Sequence, residues 1–167
     1  MVGQLTIRAA ERADASRIAE IYNEGIDGRE ATFQTSPRRV ADVEAWFEER
    51  GPLLVAESDD VVIGWARVSA YADSCVYGGV GEYTIYLDPA AQGHGAGRRL
   101  LDALAEEAER EGYYKLVGKL FTTNRPSIAV AERCGFRQVG VHRRHGRLDG
   151  EWKDVVVVER LLGEAAG

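Results

Sequence analysis

Gln92-Gly93-His94-Gly95-Ala96-Gly97-Arg98 stands between a β-rich run and a long amphipathic segment, and its reading decides the fold. Its small residues let successive backbone N–H groups converge on one point. The start of the following helix adds partial positive charge. Such a turn suits a phosphate or pyrophosphate, and Arg98 and Arg99 add cationic charge beside it. A Walker loop needs lysine followed by Ser or Thr, where Arg98-Arg99 stand. A dinucleotide fingerprint needs glycine at the place of Arg98 and sits near the first strand. The pattern Gln/Arg-x-x-Gly-x-Gly/Ala is met by Gln92, Gly95 and Gly97. A plain glycine-rich strand-to-helix connection is the alternative reading of the turn alone.

Working outward, residues 81–88 read as a strand ended by Asp88-Pro89. Before it, the β-rich runs 53–58 and 61–71 are joined by Asp59-Asp60, a hairpin signal. Residues 5–8 form a short first strand. Asp14 opens a helix whose Ile18, Ile21, Tyr22 and Ile26 share one face. Ser36-Pro37 reads as the start of a second helix carrying Val40, Val43, Trp46 and Phe47, stopped by Gly51-Pro52. After the glycine turn, Leu100, Leu101, Leu104, Ala105 and Ala108 line one side of a long helix, with Gly112 at its end. A strand follows over 115–121, a short helix over 126–134, and strands over 136–143 and 152–162 linked by the polar stretch 144–151. This order predicts an α+β fold with α/β layering around a mixed sheet.

The 167 residues suit a single domain over 1–167. Apolar residues make up 45% and charged residues 29%, while the formal net charge of −6 argues against a nucleic-acid binder. No run of about 18 apolar residues supports a spanning helix, so no membrane partner is expected. Residues 1–8 lack the basic-then-apolar pattern of a secretory leader. Cys75 and Cys134 are far apart and give no disulfide framework, so a cytoplasmic setting is expected. His94, His142 and His145 make no metal-ligand spacing with nearby acids, and no metal is expected.

Taken with Asn124-Arg-Pro-Ser127, Glu132-Arg-Cys-Gly135-Phe136 and Val80-Gly-Glu-Tyr-Thr-Ile-Tyr-Leu87, the element order resembles the GNAT acetyltransferase superfamily. Ala31-Thr32-Phe33 before Pro37, Gly81-Glu82, and His145-Gly-Arg-Leu-Asp-Gly-Glu-Trp152-Lys-Asp154 are similar to its phosphinothricin acetyltransferase branch. That branch includes enzymes acting on methionine sulfone, methionine sulfoximine and arsinothricin. The resemblance implies a mixed, mostly antiparallel sheet flanked by helices, with two middle strands splayed. Acetyl-CoA would lie in the gap, its pyrophosphate on the amides of Gly93, His94, Gly95, Ala96, Gly97 and Arg98, with Gln92 leading the motif. Backbone groups of Ile85, Tyr86 and Leu87 would pair with the pantetheine as an added strand does. Asn124 and Ser127 would contact the cofactor.

Thioester aminolysis needs a neutral amine, and an alkylammonium has a reference pKa of about 10.4. A base must therefore remove a proton. Glu82, in an apolar strand beside Tyr83 and near Trp65, matches the glutamate of the relatives and is the expected base. A backbone N–H near Tyr86 or Leu87 would stabilise the oxyanion. Ala131 stands where many relatives carry a tyrosine or histidine acid. The thiolate then leaves unprotonated or takes its proton from water. Cys134 reads as a packed core residue and Cys75 as incidental.

On the acceptor side, the resemblance implies contacts from Phe33, Tyr83, Thr84 and the loop Ala72-Asp73-Ser74. Relatives usually carry arginines in that loop, where they grip a substrate carboxylate. Arg67, Arg143 and Arg144 are the substitutes that the sequence offers. By resemblance to the relatives, the segment 142–154 is a homodimer contact or an active-site rim supplied across a dimer; read alone, it is a solvated hairpin. The expected activity is acetyl transfer to a small amino-acid-like amine, with a detoxifying role. The other readings are acetyl transfer to a polyamine, an aminoglycoside-like amine or a peptide N-terminus, and a non-catalytic acyl-CoA-binding module.

Overall fold

The structure is a computed structural model that describes residues 4–167. Residues 1–3, the start of the 1–8 segment read for a leader, lie outside the described residues. Seven strands form one sheet in the order β1-β2-β3-β4-β5-β7-β6. They are β1 Leu5–Ala9, β2 Leu53–Ser58, β3 Val61–Ala70, β4 Val80–Leu87, β5 Lys115–Phe121, β6 Arg137–Leu148 and β7 Glu151–Leu161. Every neighbouring pair is antiparallel except β4–β5. Four helices flank the sheet: α1 Ala15–Asp27, α2 Val40–Glu44, α3 Ala96–Arg110 and α4 Arg125–Arg133.

Alternation along the strands feeds two cores. On one face, α1 and α2 bury Ile18, Ile21, Ile26 and Val43 against Val55, Trp65 and Tyr86. On the other, α3 places Leu100, Leu101, Leu104 and Ala108 on Leu54, Ala66, Leu116 and Val158. Each fully buried Leu, Ile or Val side chain among these contributes roughly 1.5–3 kcal/mol. The packed faces, more than helix propensity, therefore fix where the helices lie.

Two sequence expectations are corrected. The second helix does not start at Ser36-Pro37 but at Val40, and it spans five residues before a 3-10 turn over Ala45–Glu48. Asn23 explains the delay: its side chain accepts from the Arg38 N–H at 2.7 Å and donates to the Arg38 carbonyl at 3.1 Å. The chain therefore stays extended through Arg39, whose N–H donates to Asp42 Oδ2 at 2.8 Å. The stretch 144–151 is not a loose polar link. β6 runs to Leu148 and β7 begins at Glu151, joined by Asp149-Gly150 with both residues at positive φ (51° and 81°). That is the Asp-Gly turn a tight hairpin favours.

The feature that positions the site is the β4–β5 junction. Their register covers Val80↔Lys115, Gly81↔Leu116 and Glu82↔Val117 and then stops. Beyond Glu82 the strands part like a V. β4 stays paired to β3 as far as Gly64↔Leu87, and β5 stays paired to β7 as far as Phe121↔Val155. Alternate backbone groups of residues 83–87 thus face a gap with no strand in it.

Candidate active site

The gap opens into a cleft of about 220 Å³. Residues 82–86 of β4, Lys119 and Leu120 of β5, and Asn124 and Ser127 at the start of α4 line it. Tyr22 of α1 and Ala31, Thr32 and Gln34 of the α1–α2 loop close its far side. A larger groove of about 440 Å³ runs between α4 and the β6–β7 hairpin, but Glu82 and the gap take no part in it.

Glu82 is the last residue of β4 in register with β5. Its side chain is 29% exposed, and its Oε1 lies 3.0 Å from Lys119 Nζ. The apolar wall expected around this carboxylate is therefore replaced by an ammonium group. The two strands are parallel here, and residues 82 and 119 project to the same face of the sheet. Lys119 Nζ also lies 5.9 Å from the centre of the Tyr71 ring. Sequence reading missed Lys119. The signal was a lysine interrupting the apolar strand Lys115-Leu-Val-Gly-Lys-Leu-Phe121.

Beyond Glu82, aromatic packing rather than strand pairing stiffens β4. Tyr86 stacks on Tyr22 at 4.9 Å and on Trp65 at 5.3 Å between ring centres. Gly25 of α1 makes room, since a Cβ there would fall 2.4 Å from the Tyr86 ring. Burial pushes the Tyr86 phenol above its ordinary pKa, so it stays protonated. Tyr83 points to the opposite face, 5.0 Å from the ring of Phe136, and leans over Gly118. Its hydroxyl is buried and has no hydrogen-bond partner among the described residues.

The glycine turn forms the other end of the gap. Gly93 and Gly95 hold positive φ (84° and 80°), and Gly95 caps α3. A Cβ at either would meet nothing within 4 Å, so their outer face is open. No backbone carbonyl of the described residues accepts from the N–H groups of residues 93–98. Gln92, His94 and Arg98 are exposed, while Ala96 and Gly97 pack inward, Gly97 in contact distance of Leu87 and Val130. A run of unpaired donors at a helix start fits the pyrophosphate of a nucleotide-bearing cofactor. Asn124 caps α4, its Oδ1 accepting from the Ser127 N–H at 3.3 Å.

Other expected site residues lie elsewhere. Phe33 turns its ring onto Phe121, 4.8 Å away, and into a small core with Leu148 and Val155. It anchors the α1–α2 loop to the β6–β7 hairpin, together with the Arg29–Asp149 pair at 3.2 Å. The loop's cleft contacts come instead from its neighbours Ala31, Thr32 and Gln34. Ala72, Asp73 and Ser74 are exposed on the β3–β4 connection and do not line the cleft. Arg67 is spent on Glu49 at 2.6 Å and stacks over Trp46. Arg143 and Arg144 sit on β6, two strands beyond β5, where the Arg144 N–H donates to Asp154 Oδ1 at 2.7 Å. Ala131 is fully buried and offers no acid. Burial, then Asp102, pushes the Cys134 thiol up to about 12, so it holds no thiolate near neutral pH.

The chain matches the family model "Acetyltransferase (GNAT) family" over residues 18–136. It is 32% identical to an L-methionine sulfoximine/L-methionine sulfone acetyltransferase of Salmonella typhimurium over 166 residues, 97% of each chain. It is 28% identical to a phosphinothricin N-acetyltransferase of Streptomyces coelicolor, over 95% of this chain and 97% of that one. Among solved structures, a GNAT superfamily phosphinothricin acetyltransferase from Sinorhizobium meliloti in complex with acetyl-CoA superposes with a TM-score of 0.92 at 31% identity. The match covers 96% of this chain and 90% of that one. A splayed seven-stranded sheet, an open run of amide donors and a match of this length agree: the chain belongs to the GNAT acetyltransferase family.

Proposed function

We propose that the chain transfers acetyl from acetyl-CoA to the amino group of a small amino-acid-like molecule of the phosphinothricin or methionine sulfone/sulfoximine kind. One observation carries this reading: a carboxylate, Glu82, stands where β4 and β5 part, in the cleft that continues the gap. Bound acetyl-CoA supplies an activated acyl thioester. The N–H groups of residues 93–98 would hold its pyrophosphate, and the backbone groups of Ile85, Tyr86 and Leu87 that face the gap its pantetheine arm. Asn124 and Ser127 would flank that arm.

Glu82 takes the proton from the acceptor ammonium, directly or through water. Its Oε1 lies 3.0 Å from Lys119 Nζ, which holds the carboxylate at the mouth of the gap. Thr84 and the Ala31–Thr32 stretch border the acceptor. With Ala131 offering no proton, the departing sulfur leaves as a thiolate, which resembles cysteine with a reference pKa of about 8.5 and needs little acid help.

The proposal extends to a single domain, a cytoplasmic setting, a detoxifying role and a homodimer. The dimer is supported by β6, a twelve-residue edge strand that exposes Val139 and Val141. The outer side of an edge strand carries unpaired backbone groups that can take up a second chain.

The test is thiol release by the purified chain with acetyl-CoA and a panel of amines. Turnover of methionine sulfone, methionine sulfoximine or phosphinothricin supports the reading. Turnover of cationic amines alone would reassign the acceptor, and acetyl-CoA binding without any turnover would end the enzymatic reading.

A further inference from the structure

We propose that Lys119 is the carboxylate receptor of the acceptor site and that it selects α-amino acids over simple amines. This assignment presupposes acetyl transfer in the same cleft, as proposed above. Lys119 is the one lysine or arginine lining that cleft among the described residues. The substitutes offered by the sequence are engaged elsewhere, Arg67 by Glu49 and Arg143 and Arg144 by position on the far strand β6. The exposed loop at Ala72-Asp73-Ser74 brings an acid, not a cation.

Geometry matches the pair to a zwitterion. Glu82 Oε1 and Lys119 Nζ are 3.0 Å apart. Covalent geometry keeps the amino nitrogen of an α-amino acid about 3 Å from its nearer carboxylate oxygen. Laid antiparallel, the two pairs of charges alternate around a small square. The substrate ammonium then faces Glu82, which takes its proton, and the carboxylate faces Lys119. An ammonium has three donors, and Glu82 uses one. The Lys119 side chain is 47% exposed, so its head is open to an incoming oxygen. Lysine serves here as a mobile point charge rather than a rigid fork. The same charge opposes a second ammonium, which disfavours polyamines.

A purely structural lysine, one that only holds Glu82 in place, would affect every acceptor alike. The test therefore compares methionine sulfone with its carboxamide, in wild type, Lys119→Met and Lys119→Arg, by thiol release. The acid-to-amide ratio of kcat/KM is expected to fall about ten-fold or more in Lys119→Met, chiefly through KM, as loss of a charge-assisted contact does. Lys119→Arg is expected to restore most of the ratio. An unmoved ratio overturns the assignment while leaving acetyl transfer intact. If no amine is turned over, the acetyl-transfer reading fails. Calorimetry of methionine sulfone binding to CoA-saturated wild type and Lys119→Met then decides on Lys119 alone, and equal affinities or no binding overturn it.

Discussion

Glu82 Oε1 and Lys119 Nζ lie 3.0 Å apart at the point where β4 and β5 cease to pair. In the proposed reaction Glu82 takes a proton but does not hold the cofactor. Glu82→Gln keeps the shape and removes the base. Turnover is expected to fall about 100-fold or more, the usual scale of a lost general base. Acetyl-CoA affinity, read by calorimetry, is expected to change far less. Equal turnover in the two proteins would remove Glu82 from the chemistry.

Gly95 caps α3 at φ +80°. A side chain there meets no neighbour, so the cost of Gly95→Val is conformational, about 1–2 kcal/mol for leaving the left-handed region to a β-branched residue. Relief of that strain would turn the N–H groups of residues 93–98 away from a common point. Acetyl-CoA affinity is expected to weaken about ten-fold, or ~1.4 kcal/mol. Titration calorimetry checks it, and unchanged affinity would mean that the turn does not hold the cofactor.

Gly25→Ala sets two effects against each other. Alanine in a helix gains about 0.8–1 kcal/mol over glycine. The new methyl would stand 2.4 Å from the Tyr86 ring, which is clamped between Tyr22 and Trp65. Overpacking of a filled core costs typically 1–3 kcal/mol, so net destabilisation is expected. Urea unfolding gives the sign, and a more stable variant would show that the aromatic stack is loose.

The buried Tyr83 hydroxyl has no hydrogen-bond partner among the described residues. Removing an unsatisfied buried group relieves a desolvation cost of about 1–3 kcal/mol. Tyr83→Phe is therefore expected to unfold at higher urea than wild type. A loss of stability instead would reveal a hydrogen bond to that oxygen.

Glu159 accepts from Lys115 at 2.7 Å and pairs with Arg137 at 2.6 Å. Lys115 first, then Arg137, hold its carboxyl below the ordinary glutamate range against the opposing effect of burial. The folded form thus binds this proton less readily than the unfolded chain, and folding is favoured while the group is ionised. That contribution is complete above the unfolded range, about pH 4–5. It fades as pH falls through the lower folded value. Glu159→Gln is expected to be less stable than wild type at pH 7, the gap closing in acid. A gap independent of pH would assign the difference to packing.

Much of this architecture was legible because local signals were strong. The apolar stripe from Leu100 to Ala108 and the paired Asp59-Asp60 turn each have one physical solution. The glycine turn announced its donors through Gly93, Gly95 and Gly97. Other features depended on contacts between distant residues. Asn23 delays α2 from fifteen positions away, which no window around Ser36-Pro37 contains. The Asp149-Gly150 turn was written in the sequence but obscured by the charged residues around it. Phe33 was placed near the acceptor by likeness, whereas its ring is claimed by Phe121 and the space above Gly146. Lys119 could be placed only once the parallel pairing of β4 and β5 brought it beside Glu82.

The three-rung junction between β4 and β5 also has a mechanical side. Strands β1–β4 and β5–β7 are two half-sheets joined at one end, like the legs of a pair of tongs. A ligand chain bonded to both legs would act as a cross-brace, so occupancy of the wedge and stiffness of the whole sheet become a single property. Such a brace would add least at the joined end beside Glu82 and most at the open ends of the legs.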